Sequence, residues 1–382
     1  MNGCNLIERL NISHPGTGTS QRHTIKVLVV EDSPAVQEFL IHVLSSDPEI
    51  QVIGSARDGE EALEAVKRQR PDIVTMDIHM PKMNGLEATR RIMETVPTPI
   101  VIVSGTSKIH GVEPTFHAIE AGALAFVQRP KGLGHPAYEA TAKDFVETVK
   151  LMSEVKVVRR WARLRSDKAP AVPSLQTSDP LPAEIRLVAI GASTGGPLVI
   201  QTILSRLPKN FSVPIVIVQH MSPGFIEGFA EWLGHSSGFP VRVAAHGEAL
   251  LPGHAYIAPD GFQMSVERNA RIGLRKDELE NGLCPSVSYL FRSVAKIYEQ
   301  KAIGVLLTGM GKDGAAELKL MKEQGAITLV QDKESSVVHG MPGEAILLEA
   351  STYVFPPEGI ATALASLVKA GSSLAEARKG RL

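Results

Sequence analysis

The chain has 382 residues, which at roughly 150 residues per domain allows two domains and a linker rather than one small fold. With 43% hydrophobic and 21% charged residues it has the composition of an ordinary globular protein, which excludes disorder throughout, collagen and coiled coil. Its 40 basic and 41 acidic residues leave a formal charge of -1, so the basic field of a protein that lives on nucleic acid or anionic lipid is absent.

Glu8 and Arg9 stand where a signal peptide needs an apolar core. No apolar run approaches the ~18 residues of a membrane span. Cys4 and Cys284 are too few and too far apart for a disulfide framework or a close-spaced metal motif. These features lead us to expect a cytoplasmic protein with no membrane insertion and no nucleic-acid partner.

Between Lys26 and Val127, β-rich runs alternate with helical patterns: KVLVV at 26–30, IVTM at 73–76, IVIV at 100–103 and LAFV at 124–127. Such runs read as strands of a parallel sheet buried on both faces. Ser33 is placed to cap a helix that Pro34 begins, with Val36, Leu40 and Val43 at helical spacing. Phe145, Val149, Met152, Val155 and Val158 predict a further helix, and Lys156, Arg159, Arg160, Arg163 and Arg165 suit its C-terminal end. From Ser166 to Glu184 the periodicity stops among four prolines, which marks a linker. The α/β rhythm then resumes with LVAIGA at 187–192, IVIVQ at 215–219, AYIAP at 255–259, AIGVLLTG at 302–309 and AITLVQ at 326–331, predicting a second, larger parallel sheet. The first 24 residues and the last dozen read as frayed ends.

Three carboxylates fall at the carboxyl ends of expected strands: Glu31 and Asp32 after KVLVV, and Asp77 after IVTM. Ligands of open α/β sheets bind at that edge. Clustered carboxylates repel one another unless a cation intervenes, and hard oxygen ligands with room for water suit Mg2+. Alone, the acidic pair reads as a solvated loop. Asp77, however, opens the run DIHMPKMNGLE, Ser104 ends the next strand, and Arg129 and Pro130 follow the strand after that.

With these residues the N-terminal domain resembles the response-regulator receiver family. The resemblance implies that Asp77 accepts a phosphoryl group from a histidine kinase. It also implies a Mg2+ site made by Glu31, Asp32, Asp77 and the backbone carbonyl of His79, the metal offsetting charge during in-line transfer. Ser104, Phe126 and Arg129 fall at switch positions. Ser104 would hydrogen-bond the phosphoryl group and Phe126 would change rotamer, although an apolar strand residue is equally well explained as core. Arg129 replaces the family's usual lysine, keeping the charge in a forked geometry. A glutamate at 31 as the first acid could still reach the metal through water.

In the second half, GASTGG at 191–196 puts Ser193 just after a strand and Pro197 at a helix start, matching the G-x-S-x-G turn that exposes a nucleophile. The same glycine-rich turn could cradle a phosphate or simply turn. His220 ends the strand IVIVQ and Asp313 follows GVLLTG within GMGKDGA. Singly, they read as a structural histidine and a turn or cap residue. Together with Ser193 they supply a nucleophile, a base and a group that fixes the base's tautomer. The chain order Ser, His, Asp differs from that of α/β-hydrolases, which argues against that fold.

GASTGG, QHMSPGF at 219–225, LPGHAYIAP at 251–259, LLTGMGKDGA at 306–315 and HGMPGEA at 339–345 follow one another in register. By these motifs the domain resembles the chemotaxis protein-glutamate methylesterase family, CheB, and with the receiver the likeness spans about Ile25 to Ile360. It implies two doubly wound α/β domains: a flavodoxin-like receiver over 25–145, a helix and linker over 146–184, and a Rossmann-like methylesterase domain over 185–370. It further implies hydrolysis of γ-glutamyl methyl esters on methyl-accepting chemoreceptors, often with deamidation of receptor glutamines, and no metal for that chemistry. Ser193, His220 and Asp313 would form the triad. The backbone N–H groups of Thr194 and Met310 would hold the oxyanion, a core methionine being the alternative reading of Met310. Asn281 to Cys284, and Ser288 where an aspartate is usual, depart from the family pattern. The family arrangement is a receiver packed over the active site until phosphorylation loosens it. A response regulator whose output domain only binds a partner is the other reading, and a DNA-binding output lacks any helix-turn-helix signature.

Overall fold

The computed structural model describes residues 24–105, 113–155, 157, 184–276 and 279–379. The first unit alternates strictly: β1 (Ile25–Val30), α1 (Pro34–Ser45), β2 (Ile50–Ala56), α2 (Gly59–Gln69), β3 (Ile73–Met76), α3 (Gly85–Thr95), β4 (Ile100–Ser104), α4 (Glu113–Ala121), β5 (Ala125–Gln128) and α5 (Tyr138–Ser153). Its five strands lie in the order β2-β1-β3-β4-β5, every pair parallel. Strand residues alternate between two apolar clusters: Leu28, Val30, Val74, Met76 and Ile102 face one, and Val27, Val29, Ile73, Val101 and Val103 the other. Helices therefore cover both faces, which is why these strands read as unbroken apolar runs. Ser33 occupies the N-cap of α1 without a side-chain capping bond, whereas Asp58 caps α2 by accepting from the amides of Glu60 and Glu61.

A boundary at 145 would cut α5, whose Phe145, Val149 and Met152 pack into the second of these clusters. We therefore place the end of the receiver unit after Ser153. The helix stops there, and Val158, the basic residues expected at its end and most of the linker lie outside the described residues.

The second unit comprises β6 (Leu187–Ala192), α6 (Gly196–Arg206), β7 (Ile215–Gln219), α7 (Ile226–Ser237), β8 (Val241–Val243), β9 (Ala255–Ile257), β10 (Gln263–Glu267), β11 (Arg271–Arg275), α8 (Val287–Tyr298), β12 (Ala302–Leu306), α9 (Ala315–Glu323), β13 (Ile327–Gln331), α10 (Met341–Leu347), β14 (Tyr353–Phe355) and α11 (Pro357–Lys379). Seven strands form a parallel sheet in the order β14-β13-β12-β6-β7-β9-β8, and β10 and β11 make a separate antiparallel hairpin. The chain leaves β6 toward β7 and returns to β6's other side at β12, so the topological switch lies between β6 and β12, where open sheets place their ligands. The C-terminal dozen does not begin as a frayed end: α11 continues to Lys379. Among the described residues no helix is long and apolar enough to cross a membrane.

The two units meet through aromatic rings. Phe116 of α4 is fully buried and stacks on Trp232 of α7, with centroids 5.2 Å apart and planes 18° from parallel. Phe126 of β5 lies 4.4 Å from Phe225, which directly precedes α7. Trp232 Nε1 donates to Glu120 Oε1 at 3.0 Å.

Candidate active site

Ser193, His220 and Asp313 come from the loops after β6, β7 and β12, three adjacent strands of the sheet. β6 and β7 pair as far as Ala192 and Gln219, and the His220 amide donates to the Ala192 carbonyl, so serine and histidine stand side by side. Gln219, buried beneath them, ties the turn together by donating to the carbonyls of both Ser193 and His220. The imidazole Nε2 lies 3.0 Å from Asp313 Oδ2. With that nitrogen occupied, Nδ1 is the one left for a proton transfer. The Ser193 hydroxyl makes no hydrogen bond among the described residues. Catalytic contacts of this kind often close only when substrate is bound.

Asp313 is not a helix cap, since Gly314 holds that position at α9, and it is only 5% exposed. Its carboxylate sits on the N-terminus of α8. Oδ2 accepts from the Val287 amide at 2.6 Å, and Oδ1 accepts from the Ser286 hydroxyl at 2.9 Å and the Ser288 amide at 3.1 Å. The Ser288 hydroxyl in turn accepts from the Gly314 amide at 2.9 Å. Gly314 has φ +82°, and a Cβ there would come 2.4 Å from Val287 Cγ1, so this close approach requires glycine. Burial works to raise the Asp313 pKa, but hydrogen bonds from His220, Ser288 and Val287 outweigh it and hold the acid ionised down to about 2. Sequence reasoning missed Ser286 and Ser288 in this role. Ser286 showed only as a serine at a helix N-cap and Ser288 only as a departure from the family pattern, and neither signal points to an acid 27 residues from Ser286.

The amides of Thr194 and Met310 donate to no acceptor among the described residues, as an oxyanion site requires. The Met310 side chain is 56% exposed, which rules out the core-methionine reading. Gly309 brings this loop against the nucleophile: a Cβ there would lie 2.6 Å from Ser193 Cβ and 2.4 Å from Met341 Sδ. Ser193 and His220 open into a cavity of about 620 Å³ whose facing wall belongs to the receiver unit, with Ile119, Ala123 and Phe126 among its residues. Phe126 is thus not simple receiver core. It is half-buried and packed between the units.

In the receiver, carboxylate oxygens of Glu31, Asp32 and Asp77 lie within 4.8 Å of one another at the strand edge. Glu31 is pushed up to about 7, first by burial and then by Asp77. Burial also raises Asp77, against the opposing pull of the Ile78 amide and Arg129. Two buried acids raised in this way, with an exposed third beside them, are a donor set that fits a hard divalent cation. His79 is exposed and its carbonyl accepts no hydrogen bond among the described residues. Ser104 ends β4, buried, and its carbonyl accepts from the Arg129 amide. The Arg129 guanidinium donates to Glu31 Oε2 at 3.1 Å, so the two replaced positions are paired with each other.

Because the folded pKa of Asp313 lies below its ordinary 3.8, its ionised form stabilises the fold above pH 4. That contribution, about 2 kcal/mol, should be lost as the pH falls from 4 through 2. Urea unfolding followed across this window is expected to show the loss in wild type and a flatter profile in Asp313→Asn. An identical slope in the two would contradict the cradle. Gly309→Ala must displace Ser193, and a shift of that size is expected to lower kcat by about 10²-fold, measured as ester hydrolysis at saturation.

Two family profiles match the chain: the response regulator receiver domain over residues 27–135 and CheB methylesterase over 188–364. The protein-glutamate methylesterase/protein-glutamine glutaminase of Nitrosospira multiformis is 61% identical over 347 residues, covering 90% of this chain and 97% of its own. A relative of the same description from Geobacter metallireducens is 57% identical over 344 residues, covering 90% and 99%. Among solved structures, the CheB methylesterase catalytic domain of Thermotoga maritima is similar at 41% identity and a TM-score of 0.47, over 48% of this chain and 99% of its own. With identity of this order over 90% of its length and both family profiles matched, the chain belongs to the CheB family of receiver-linked protein-glutamate methylesterase/protein-glutamine glutaminases.

Proposed function

We propose that this protein is a phosphorylation-controlled serine hydrolase that removes methyl esters from γ-glutamyl residues of methyl-accepting chemoreceptors and deamidates receptor glutamines, serving sensory adaptation in the cytoplasm. The observation that carries the reading is the buried Asp313 carboxylate bonded to His220, in a cavity shared with Ser193. An output domain that only bound a partner would have no use for an ionised acid held on an imidazole.

Ser193 Oγ attacks the ester carbonyl while His220 Nδ1 takes its proton. Asp313 fixes the tautomer and stabilises the imidazolium. The amides of Thr194 and Met310 receive the developing oxyanion, a contact worth ~3 kcal/mol of barrier per donor. His220 then protonates the leaving methoxide, or the leaving amine of a glutamine, giving methanol or ammonia and an acyl-enzyme. Water activated by His220 frees the glutamate. The chain's own residues suffice for this half of the chemistry.

Control comes from the receiver, which walls the cavity in front of Ser193. Asp77 accepts the phosphoryl group from a cognate histidine kinase. Glu31, Asp32, Asp77 and the His79 carbonyl would hold Mg2+, which supplies the positive charge that offsets the reacting oxygens. Arg129, now on Glu31, carries its guanidinium to the new phosphoryl group, and Ser104 donates to it. Phe126, packed on Phe225, transmits the change to the catalytic unit.

Methanol release from a methylated chemoreceptor fragment should be abolished by Ser193→Ala and should rise with a small-molecule phosphodonor and Mg2+ in wild type. Serine-independent release would overturn the mechanism. Arg129→Ala should lower the ratio of stimulated to unstimulated release by about ten-fold, because a charge-assisted bond to the phosphoryl group is lost. An unaltered ratio would remove Arg129 from the switch.

A further inference from the structure

The contact between α4 and α7 has a chemistry of its own. Phe116 and Glu120 are one turn apart on one face of α4, and both engage Trp232: the phenyl ring stacks on the indole and the carboxylate accepts its N–H. The other Glu120 oxygen is held by His117 Nδ1 at 3.0 Å. Phe116 lies in one apolar cluster with Phe225, Ile226, Phe229 and Trp232 of the catalytic unit. Past Glu120 the same helix runs out at the catalytic cavity, where Gly122 and Ala123 share the lining with Ser193 and His220. A helix advances 1.5 Å per residue, so a chain seated on Trp232 as α4 is seated carries its next turn to the edge of the cavity that Ser193 lines.

If the receiver swings away, this aromatic face is uncovered beside the active site. An apolar patch of that kind needs an occupant. Resting on the substrate reading above, we propose that the α7 face around Trp232 is the docking surface for the receptor segment itself. That segment binds as a helix with a large apolar side chain and, four residues on, a glutamyl or glutaminyl group, and α4 is its internal imitation. An indole N–H donates to a carboxylate, an ester carbonyl or a carboxamide oxygen, most strongly to the charged one, so Trp232 accepts a receptor glutamyl position in any modification state. Receiver and substrate then compete for one surface, and inhibition is exclusion from the docking face as well as cover over the cavity.

The test uses the full chain with and without phosphodonor and Mg2+, on a methylated receptor fragment and on a small aryl ester. Trp232→Phe keeps a ring and loses the N–H. It is expected to raise unstimulated aryl-ester hydrolysis several-fold by loosening the receiver, and to raise the receptor KM of the stimulated enzyme about ten-fold. Glu120→Ala removes only the receiver's side of the bond. It should give the same rise with the aryl ester and leave the stimulated receptor KM where it was. A receptor KM unmoved by Trp232→Phe would show that the face serves the receiver alone. Aryl-ester hydrolysis unmoved by both variants would show that the bond does not hold the receiver. Wild type that hydrolyses the aryl ester but no receptor ester would instead overturn the chemoreceptor reading, and this inference with it.

Discussion

The catalytic unit depends on keeping one carboxylate ionised where water cannot reach it. Asp313 tolerates burial because two amides at a helix N-terminus, a serine hydroxyl and an imidazole all converge on it. Those donors are themselves fixed from further out. The Ser286 amide donates to Gln263 Oε1, and Gln263, fully buried on β10, holds the Leu283 carbonyl through Nε2. The hairpin therefore belongs to the active site although none of its residues approaches the reacting atoms. From Gln263 to Ser286 to Asp313 to His220, each link sets the orientation of the next, and the last leaves Nδ1 as the nitrogen open to a proton transfer.

The receiver's hold on the catalytic unit is of a size that a switch can use. Burying a phenylalanine is worth roughly 2 kcal/mol, and a hydrogen bond to a charged acceptor adds about as much. Phe116, Phe126 and the Trp232–Glu120 bond thus sum to a few kcal/mol. Carrying an equilibrium from mostly closed to mostly open takes about 5.5 kcal/mol of differential stabilisation, the same order.

What the sequence disclosed follows from what is local. The strands at 73–76, 187–192 and 215–219 were legible to the residue because each is apolar on both faces. β2 escaped because Gly54, Ser55 and half-exposed positions break its run, and β8 and β14, at three residues each, are too short to show a period. Ser193, His220 and Asp313 could be grouped before their distances were known, since each follows a parallel strand and the carboxyl edge of such a sheet gathers its loops. The Ser286–Ser288 cradle, Gln219 beneath the serine and the Trp232–Glu120 bond were illegible. Each joins residues whose types are common and whose neighbourhood exists only once the chain has folded.

The receiver shows why two replaced residues should be weighed as a pair. A glutamate at 31 and an arginine at 129 each look like a loss of the usual geometry. In the folded chain the longer acid and the forked cation meet at 3.1 Å, so the pair brings its own positive charge to a site crowded with carboxylates. On the proposed reading, a cation that binds there competes with Arg129 for Glu31, and a phosphoryl group on Asp77 offers the displaced guanidinium a better partner. Arg129 lies three residues beyond Phe126 and its amide is bonded to Ser104, so its movement pulls on the end of β5. That strand carries the ring that rests on Phe225, five residues from His220. On the proposed reading, the charge around Asp77 and the loop that carries His220 are thereby joined through one short strand.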